Sequence, residues 1–456
     1  MKREELKTMK KMLALFLCVC TAAVSMSACS PANEFSGDEN LSDNTTRDDD
    51  IEKTYNYQDG AQSGPLSYTT YSSEVTDFEL RLFRNYIKNN PDTESFVFSP
   101  MSTALTLGII ANGAADRTQT NIINALGDEL DIDATNQSSS YLLSRLEAFN
   151  TSEDETEEET KNSDEDSKGK SYVKIQNTLL FNDTVDVRKN FLQNNTDYYG
   201  ADIFRFVFSD ENSITKVNNH LSEFTSKKAV SSLDAENNLI CIGAVDIYDE
   251  WLNSYAQSDV SSGVFHSSDG DCDVNYMTSN ENYIHTETAS GIIKYTSGTP
   301  LKFIAVMPNE DISLESYISS LTYLEYTDLL ESFSVQSTVS ASVPEFSIEG
   351  SETAVSFKDE LSECGIADIF TDEVSLSNIT LSDSLYVNDI SQILPSITVN
   401  AAGISGTESV GTKAPVQTRT EEITPAETKL EFNRPFIFML IDNESNIPVY
   451  IGTVDL

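Results

Sequence analysis

Ala401-Ala402-Gly403-Ile404-Ser405-Gly406-Thr407-Glu408-Ser409-Val410-Gly411-Thr412-Lys413-Ala414-Pro415-Val416 opens a long stretch, Ala401–Thr428, between two strand-like segments, Ile397–Val399 and Leu430–Phe432. A loop of this length inside a compact domain usually carries function. Its first half is nevertheless written like a strand. Ile404, Gly406, Glu408, Val410, Thr412, Ala414 and Val416 fall on one side, with Ser405, Thr407, Ser409, Gly411, Lys413 and Pro415 on the other. Apart from Glu408, the first set suits a buried face and the second a wet one. Such a segment can join a sheet.

Outward from that stretch, helical periodicity comes early and strand periodicity late. Val75, Phe78, Leu82 and Tyr86 recur at helical intervals. Ser99-Pro100 reads as an N-cap followed by proline at the first helical position, ahead of a nearly all-apolar run from Ala104 to Ala111, so this helix is expected to be buried. Arg117–Leu126 and Ser139–Phe149 add two more helices. Strands are expected at Val173–Phe181, Leu239–Tyr248, Leu301–Met307, Val335–Phe346, Leu385–Ile390, Ile397–Val399, Leu430–Phe432, Phe436–Ile441 and Val449–Val454. This order indicates an α+β domain with mixed or antiparallel sheets. No internal repeat is visible.

The chain has 456 residues, 74 of them acidic against 29 basic, giving a formal net charge of -45. A field of that sign repels phosphate and sulfate backbones, which excludes nucleic acid and heparin as partners. Residues 1–28 read as a targeting signal. Lys2, Arg3, Lys7, Lys10 and Lys11 precede an uncharged stretch, Met12–Met26, that is too short to span a bilayer. Met26-Ser27-Ala28-Cys29 resembles the bacterial lipobox, which implies cleavage before Cys29 and a lipid on its thiol. Cleavage removes a net +3 and leaves the mature chain at -48.

Residues 29–70 are polar and acidic with few large apolar side chains, and are expected to form a flexible tether holding a domain, 71–456, off the membrane. A second polar stretch, 151–170, carries nine acidic and three basic residues and interrupts that domain. Neither it nor Asp269-Gly270-Asp271 has calcium-loop spacing. Beyond the signal and Cys29, only Cys241, Cys272 and Cys364 remain, an odd number without close spacing. They are expected to be small buried hydrophobes.

Catalytic motifs are missing from the chain. It has no glycine-rich phosphate loop, no paired-cysteine motif and no His-Glu-x-x-His, and Gly403–Gly411 does not fit Gly-x-Ser-x-Gly. His220 shares a helical pattern with Val217, Leu221 and Phe224, which suits a structural histidine. No enzyme activity, cofactor or metal is expected.

The motifs resemble those of the serpins. Phe98-Ser99-Pro100-Met101-Ser102, then Gly113 and Leu126-Gly127, is similar to that family's motif around its second and third helices. Asn177-Thr178-Leu179-Leu180-Phe181 looks like the start of its central-sheet strand. Val343-Pro344-Glu345-Phe346-Ser347-Ile348-Glu349 and Cys364-Gly365-Ile366-Ala367-Asp368-Ile369-Phe370 resemble two later signatures. Phe432-Asn433-Arg434-Pro435-Phe436-Ile437-Phe438 and Ile451-Gly452 are the most specific matches. They stand in family order across residues 75–456.

The resemblance implies three sheets, eight or nine helices and an exposed reactive loop, here 401–428. It also implies a monomeric suicide inhibitor of a serine or cysteine protease. In such proteins the attacked loop forms an acyl-enzyme and its N-terminal half inserts into the central sheet before deacylation. The alternative is a noninhibitory member that is cleaved as a plain substrate or serves as a binding module. A solute-binding or adhesive lipoprotein would suit the signal and tether but not the motifs. Counting from the hinge glycine, Gly403, places the reactive bond at Gln417-Thr418, whereas counting back from Arg434-Pro435-Phe436 points to Glu421–Thr424. The forward count is preferred because the inserting half does the mechanical work.

The chain departs from the pattern in several places. A usual tryptophan is His220, a usual asparagine is Gly243 and a usual histidine at the sheet opening is Gln392, which is expected to bond the Ser99 and Ser102 hydroxyls. In the hinge, the usual acidic pair is Ala401-Ala402, the usual threonine is Ile404 and a usual alanine is Glu408. The two last changes bear on how readily the loop inserts.

Overall fold

The structure is a computed structural model that describes residues 39–42, 64–91, 93–150, 171–224, 228–334, 337–381, 385–406 and 426–456. Its first element was not expected. Glu39–Asn40 (β1) lies within the stretch assigned to the tether, yet it pairs with a sheet and Leu41 after it is buried. Helix α1, Tyr68–Asn89, starts three residues ahead of the expected domain boundary. It buries Val75, Phe78, Leu82 and Tyr86, the residues that set its period.

Phe96–Phe98 (β2) leads into α2, Pro100–Gly113. The Ser99 hydroxyl accepts the Ser102 amide as an N-cap and Pro100 takes the first helical position, as predicted. Every residue of α2 is buried. Helix α3 spans Asp116–Leu126. Helix α4, Ile132–Glu147, starts earlier than its apolar period suggests, because the Asp131 carboxylate caps the amide of Ala134 and starts a polar first turn. At its far end Asn150 exchanges two side-chain hydrogen bonds of 2.8 Å with the backbone of Val173. This clasp closes the base of the acidic stretch 151–170, which itself lies outside the described residues.

Strands β3 (Tyr172–Asn182), β4 (Asp202–Phe206) and β5 (Leu239–Glu250) follow, with α5 (Lys189–Tyr199) and α6 (Glu211–His220) in the crossovers. The chain then forms β6 (Val260–Ser267), β7 (Gly270–His285), β8 (Ala289–Tyr295), β9 (Leu301–Pro308), α7 (Leu314–Ser320), α8 (Tyr323–Glu331) and β10 (Thr338–Pro344). Next come β11 (Phe346–Ile348), β12 (Val355–Ser356), the short α9 (Lys358–Leu361), β13 (Asp389–Gln392) and β14 (Ile397–Val399). The last strands are β15 (Gly403–Ser405), β16 (Lys429–Glu431), β17 (Phe436–Asp442) and β18 (Pro448–Val454). The segment expected as a strand at Leu385–Ile390 becomes one only from Asp389.

One sheet runs β1-β4-β3-β5-β15-β14-β11, with β13 and β12 continuing from β5. The other strands form a ladder in the order β16-β10-β7-β8-β9-β17-β18-β2, with β6 on β7. The sixteen-residue β7 pairs with β6 over Gly270–Met277, with β10 over Tyr276–Asn282 and with β8 over Asn282–His285. There the expected second and third sheets run into one another. Helix α2 packs on β3 and β5 of the first sheet and on β18 of the second, so its all-round apolar surface has a partner on each side.

That burial is costly at a carboxyl group. Glu79 of α1 is fully buried, and neither of its carboxyl oxygens has a hydrogen-bond partner among the described residues. Its electrostatic neighbours are Tyr71 on its own helix and Tyr326 on α8. Burial holds the carboxyl well above the usual carboxylate range, so the native state keeps a proton that the unfolded chain gives up near pH 4. Stability is therefore lost as pH rises from there. Glu79→Leu is expected to stabilise the protein by about 1–3 kcal/mol at pH 8 and by less at pH 5, in thermal melts at the two pH values. A smaller gain at pH 8 than at pH 5 would contradict this.

Candidate functional site

The segment singled out in the sequence enters the first sheet at its third residue. Asn400 makes the turn that delivers it. Its side-chain oxygen accepts the amides of Ala402 at 2.9 Å and Gly403 at 3.3 Å, and its own amide donates to the Gly403 carbonyl at 3.1 Å. Trp251 grips the turn from the end of β5. Its indole donates to the Asn400 carbonyl at 2.8 Å and its amide to the Ala402 carbonyl at 3.0 Å, while the Tyr255 amide donates to the Ala401 carbonyl at 3.1 Å. Beneath them the Lys294 ammonium lies over the Tyr255 ring at 4.2 Å and the Trp251 ring at 5.4 Å, paired with Glu281 at 2.5 Å. Ala401 and Ala402 thus sit in a packed turn where an acidic pair is usual.

From there Gly403, Ile404 and Ser405 form β15 between two strands. They run antiparallel to β5, in register with Glu250, Asp249 and Tyr248, and antiparallel to β14, with Ile404 opposite Val399 and Ser405 opposite Thr398. Ile404, whose bulk raised doubt about insertion, is 2% exposed and packs in the core. The Gly406 amide adds one more bond to the Ile247 carbonyl. Gly406 is held at close quarters: a Cβ there would meet Asp246 Oδ1 at 2.1 Å. Glu408, Gln417 and Thr418 lie outside the described residues, as does Cys29.

At the other end of β5 the gap is closed. Ile240–Gly243 pair in parallel with Asp389–Gln392 of β13. Between the two pairings, Ala244 and Val245 have no strand against them on that side among the described residues. The sheet is thus entered by the loop at one end and zipped at the other.

The zipped end carries the residues predicted for the sheet opening, with different bonds from those expected. Gln392 does not bond the Ser99 and Ser102 hydroxyls. Its amide oxygen accepts the Ser99 backbone amide at 3.1 Å, and its amide nitrogen donates to the Ser99 carbonyl at 2.6 Å and to the Thr103 hydroxyl. A primary amide can engage both backbone groups of one residue, which leaves the Ser99 hydroxyl to cap α2. The Ser102 hydroxyl turns instead to Asn177 of β3 at 3.3 Å, whose side chain also accepts from Thr106 at 3.1 Å.

Gly243 lies opposite Asn177 on β5. A Cβ there would meet Ser102 Oγ at 2.2 Å, so the Ser102 hydroxyl occupies the space an asparagine side chain would need. Thr103, Thr106 and Asn177 were not singled out as a group by the sequence. The available signal was the run of hydroxyl residues at Ser99, Ser102, Thr103 and Thr106, on one side of the first turns of α2.

The remaining candidates are structural. His220 ends α6 with its ring against Phe204 at 4.6 Å and Nε2 3.1 Å from Asp202. Cys241 and Cys364 are buried and Cys272 is half-buried, all three as free thiols. Burial pushes the Cys364 thiol up to about 11, which keeps it protonated and unreactive at neutral pH. Among the described residues no group of side chains is arranged to hold a metal ion, and no helix is long and apolar enough to cross a membrane.

An α+β domain whose first sheet admits the start of a long loop between β5 and β14 defines a class, and comparison with known proteins agrees with it. The model of the family described as Serpin (serine protease inhibitor) matches residues 73–455, and the chain belongs to that family. It is similar to alpha-1-antichymotrypsin of Pongo abelii, 22% identical over 84% of this chain and 88% of the relative. It is 23% identical to the plasma serine protease inhibitor of Homo sapiens over 85% of this chain and 90% of the other. Among solved structures, the thermophilic serpin tengpin in its native state matches with a TM-score of 0.73 and 28% identity, covering 92% of this chain and 99% of tengpin. The same protein in its latent state matches with a TM-score of 0.66 and 29% identity over 86% and 98%.

Proposed function

We propose that this protein is a suicide inhibitor of proteases that acts by inserting its reactive loop into the first sheet, anchored outside a bacterial cell by a lipid on Cys29. The observation that carries the reading is β15. Three residues of the loop already lie between β5 and β14, with Ile404 in the core. Ahead of them Ala244 and Val245 of β5, paired with β3 on one side, have no strand on the other among the described residues, and beyond that lies a parallel pairing short enough to separate.

The mechanism follows from this register. A protease, serine or cysteine, attacks the loop at Gln417-Thr418, its nucleophile bonds to the Gln417 carbonyl carbon, and the new amine at Thr418 departs. The freed strand continues the β15 register, which brings Thr407 to Asp246, Glu408 to Val245 and Val410 to Gly243. Past Gly243 it must replace β13 against β5. That requires breaking four parallel register pairs and parting Ser99 and Thr103 from Gln392 or moving them with it. Each pair lost is replaced by two, one on either side of the new strand, so the exchange runs downhill once begun. The acyl-enzyme is carried along and deformed before water can release it. In the alternative, a noninhibitory member, insertion is too slow and the loop is merely cut.

The test is incubation with a panel of serine and cysteine proteases. A covalent adduct that survives denaturant is expected with at least one of them; quantitative cleavage with recovery of active protease in every case would establish the alternative. Anchoring has its own test. Cys29→Ser is expected to shift the protein from the membrane fraction to the medium, or to leave uncleaved precursor, because a chain at -48 has little affinity for anionic lipid by itself. Recovery of the variant unchanged in membranes would count against a lipid.

A further inference from the structure

The outer edge of the first sheet is occupied by a piece of the chain that its own composition does not favour ordering. Between Phe35 and Ile51, Leu41 is the one large apolar residue in a run of Asp, Asn, Ser, Thr, Gly, Glu and Arg. Yet Leu41 is 7% exposed and belongs to the main core. β1 sets it there, with Glu39 opposite Arg205 and Asn40 opposite Phe204, antiparallel to β4.

The bonding pattern is that of an added strand. The Leu41 amide donates to the Ile203 carbonyl at 2.8 Å. The Ser42 hydroxyl then stands in for a strand's next backbone groups, accepting the Ile203 amide at 2.8 Å and donating to the Ala201 carbonyl at 3.1 Å. Asn40 shapes the segment by accepting the Ser42 amide at 3.0 Å on its side-chain oxygen. Both backbone groups of Ile203 are thereby used, on the side of β4 away from β3. An unfilled edge of this kind accepts extended chains readily.

We propose that the outer edge of β4 is a strand-acceptance site for an extended peptide of the pattern Asn-Leu-Ser, filled in cis by residues 40–42 and open in trans once that segment is displaced. Ladder bonds at Ile203 and Ala201 supply the attachment, the leucine site supplies the anchor, and the small hydroxyl residue after it supplies selectivity. The site is separate from the loop-insertion position between β5 and β14, and holds whether or not the protein inhibits a protease.

The test uses the full chain carrying Leu41→Asp, which places a charge in the leucine site and releases the cis segment. The probe is a fluorescent synthetic peptide of residues 37–44. Saturable binding to the variant is expected, with at least tenfold weaker binding to the parent chain, whose site is filled, and none by the same peptide carrying the leucine-to-aspartate change. Hydrogen exchange at the Ile203 amide should accelerate at least tenfold in the variant and slow again when peptide is added. No binding to a variant that melts as a folded protein, equal binding to parent and variant, or unchanged exchange at Ile203 would each overturn the proposal. If Leu41→Asp fails to fold, Leu41→Ala, which empties the leucine site without adding a charge, is read with the same peptide and the same Ile203 exchange, and absence of peptide binding to it would overturn the proposal.

Discussion

Cutting the chain anywhere from Lys413 to Glu421 is expected to raise its melting temperature by an amount on the order of tens of degrees, which a nick in an ordinary loop never does. In the intact protein, among the described residues of the loop, Gly403–Ser405 and the Gly406 amide lie in the sheet. The loop remains tied at both ends, to Trp251 and Tyr255 through the 400–403 turn and to β10 through β16. Cleavage frees the inserting half from β16. The segment from Thr407 onward can then continue along β5 past Ala244–Asp246, gaining backbone bonds on two sides and burying Val410, Thr412 and Ala414. Differential scanning of intact and nicked protein measures the gain. Coincident melts would mean that the loop does not extend along β5 after cleavage and is a plain substrate.

The second large effect is expected at Glu408. In the continued register its neighbour on β5 is Val245, which belongs to the core. Ile404 opposite Asp249 fixes the parity, so residues 406, 408 and 410 share its inward side. A carboxylate arriving there unpaired costs a few kcal/mol and slows the step that must outrun deacylation. Glu408→Ala is therefore expected to shift the ratio of trapped to turned-over protease about tenfold toward trapping, equivalent to about 1.4 kcal/mol in the competing barriers. The sign with pH follows. Insertion favours the protonated carboxyl, so trapping by the parent chain should improve as pH falls toward the usual glutamate range, and the variant should lose that dependence. An unchanged ratio for Glu408→Ala would show that Glu408 stays solvated or meets a partner.

Much of this arrangement was legible in the sequence where one physical cause dominates locally. Ser99-Pro100 before an uncharged run can only begin a buried helix, and α2 is buried at every position. The alternation from Ile404 onward marked a strand, and its first residues are one. Legibility failed where tertiary contacts decide. Val260–Ser267 and the first half of β7 carry Ser, Gly, Asp and Asn on exposed positions, and they are strands because β6 and β7 pair with each other and β10 holds β7 farther along. Lys189–Tyr199 is a polar helix held by the burial of Phe191, Leu192 and Tyr199.

The sheet opening shows the same limit at atomic scale. That Gln392 faces the start of α2 was foreseeable from the family resemblance, but which groups it bonds was not. Gln392 carries both a donor and an acceptor, and only the approach of β13 to Ser99 selects the backbone over the hydroxyls. At the N-terminus, composition correctly describes a polar stretch, yet a single leucine and a single serine suffice to pin four residues to β4. The residues that decide docking are there too few to register in any window average.

Insertion of the loop while still joined to its protease leaves two products to measure, the adduct itself and the peptide it sheds. With a protease that forms a denaturant-resistant complex, one released C-terminal fragment beginning at Thr418 is expected. Complete turnover with no adduct would contradict trapping by insertion, and an adduct whose released fragment begins at Ala414 or Glu421 would move the reactive bond away from Gln417-Thr418.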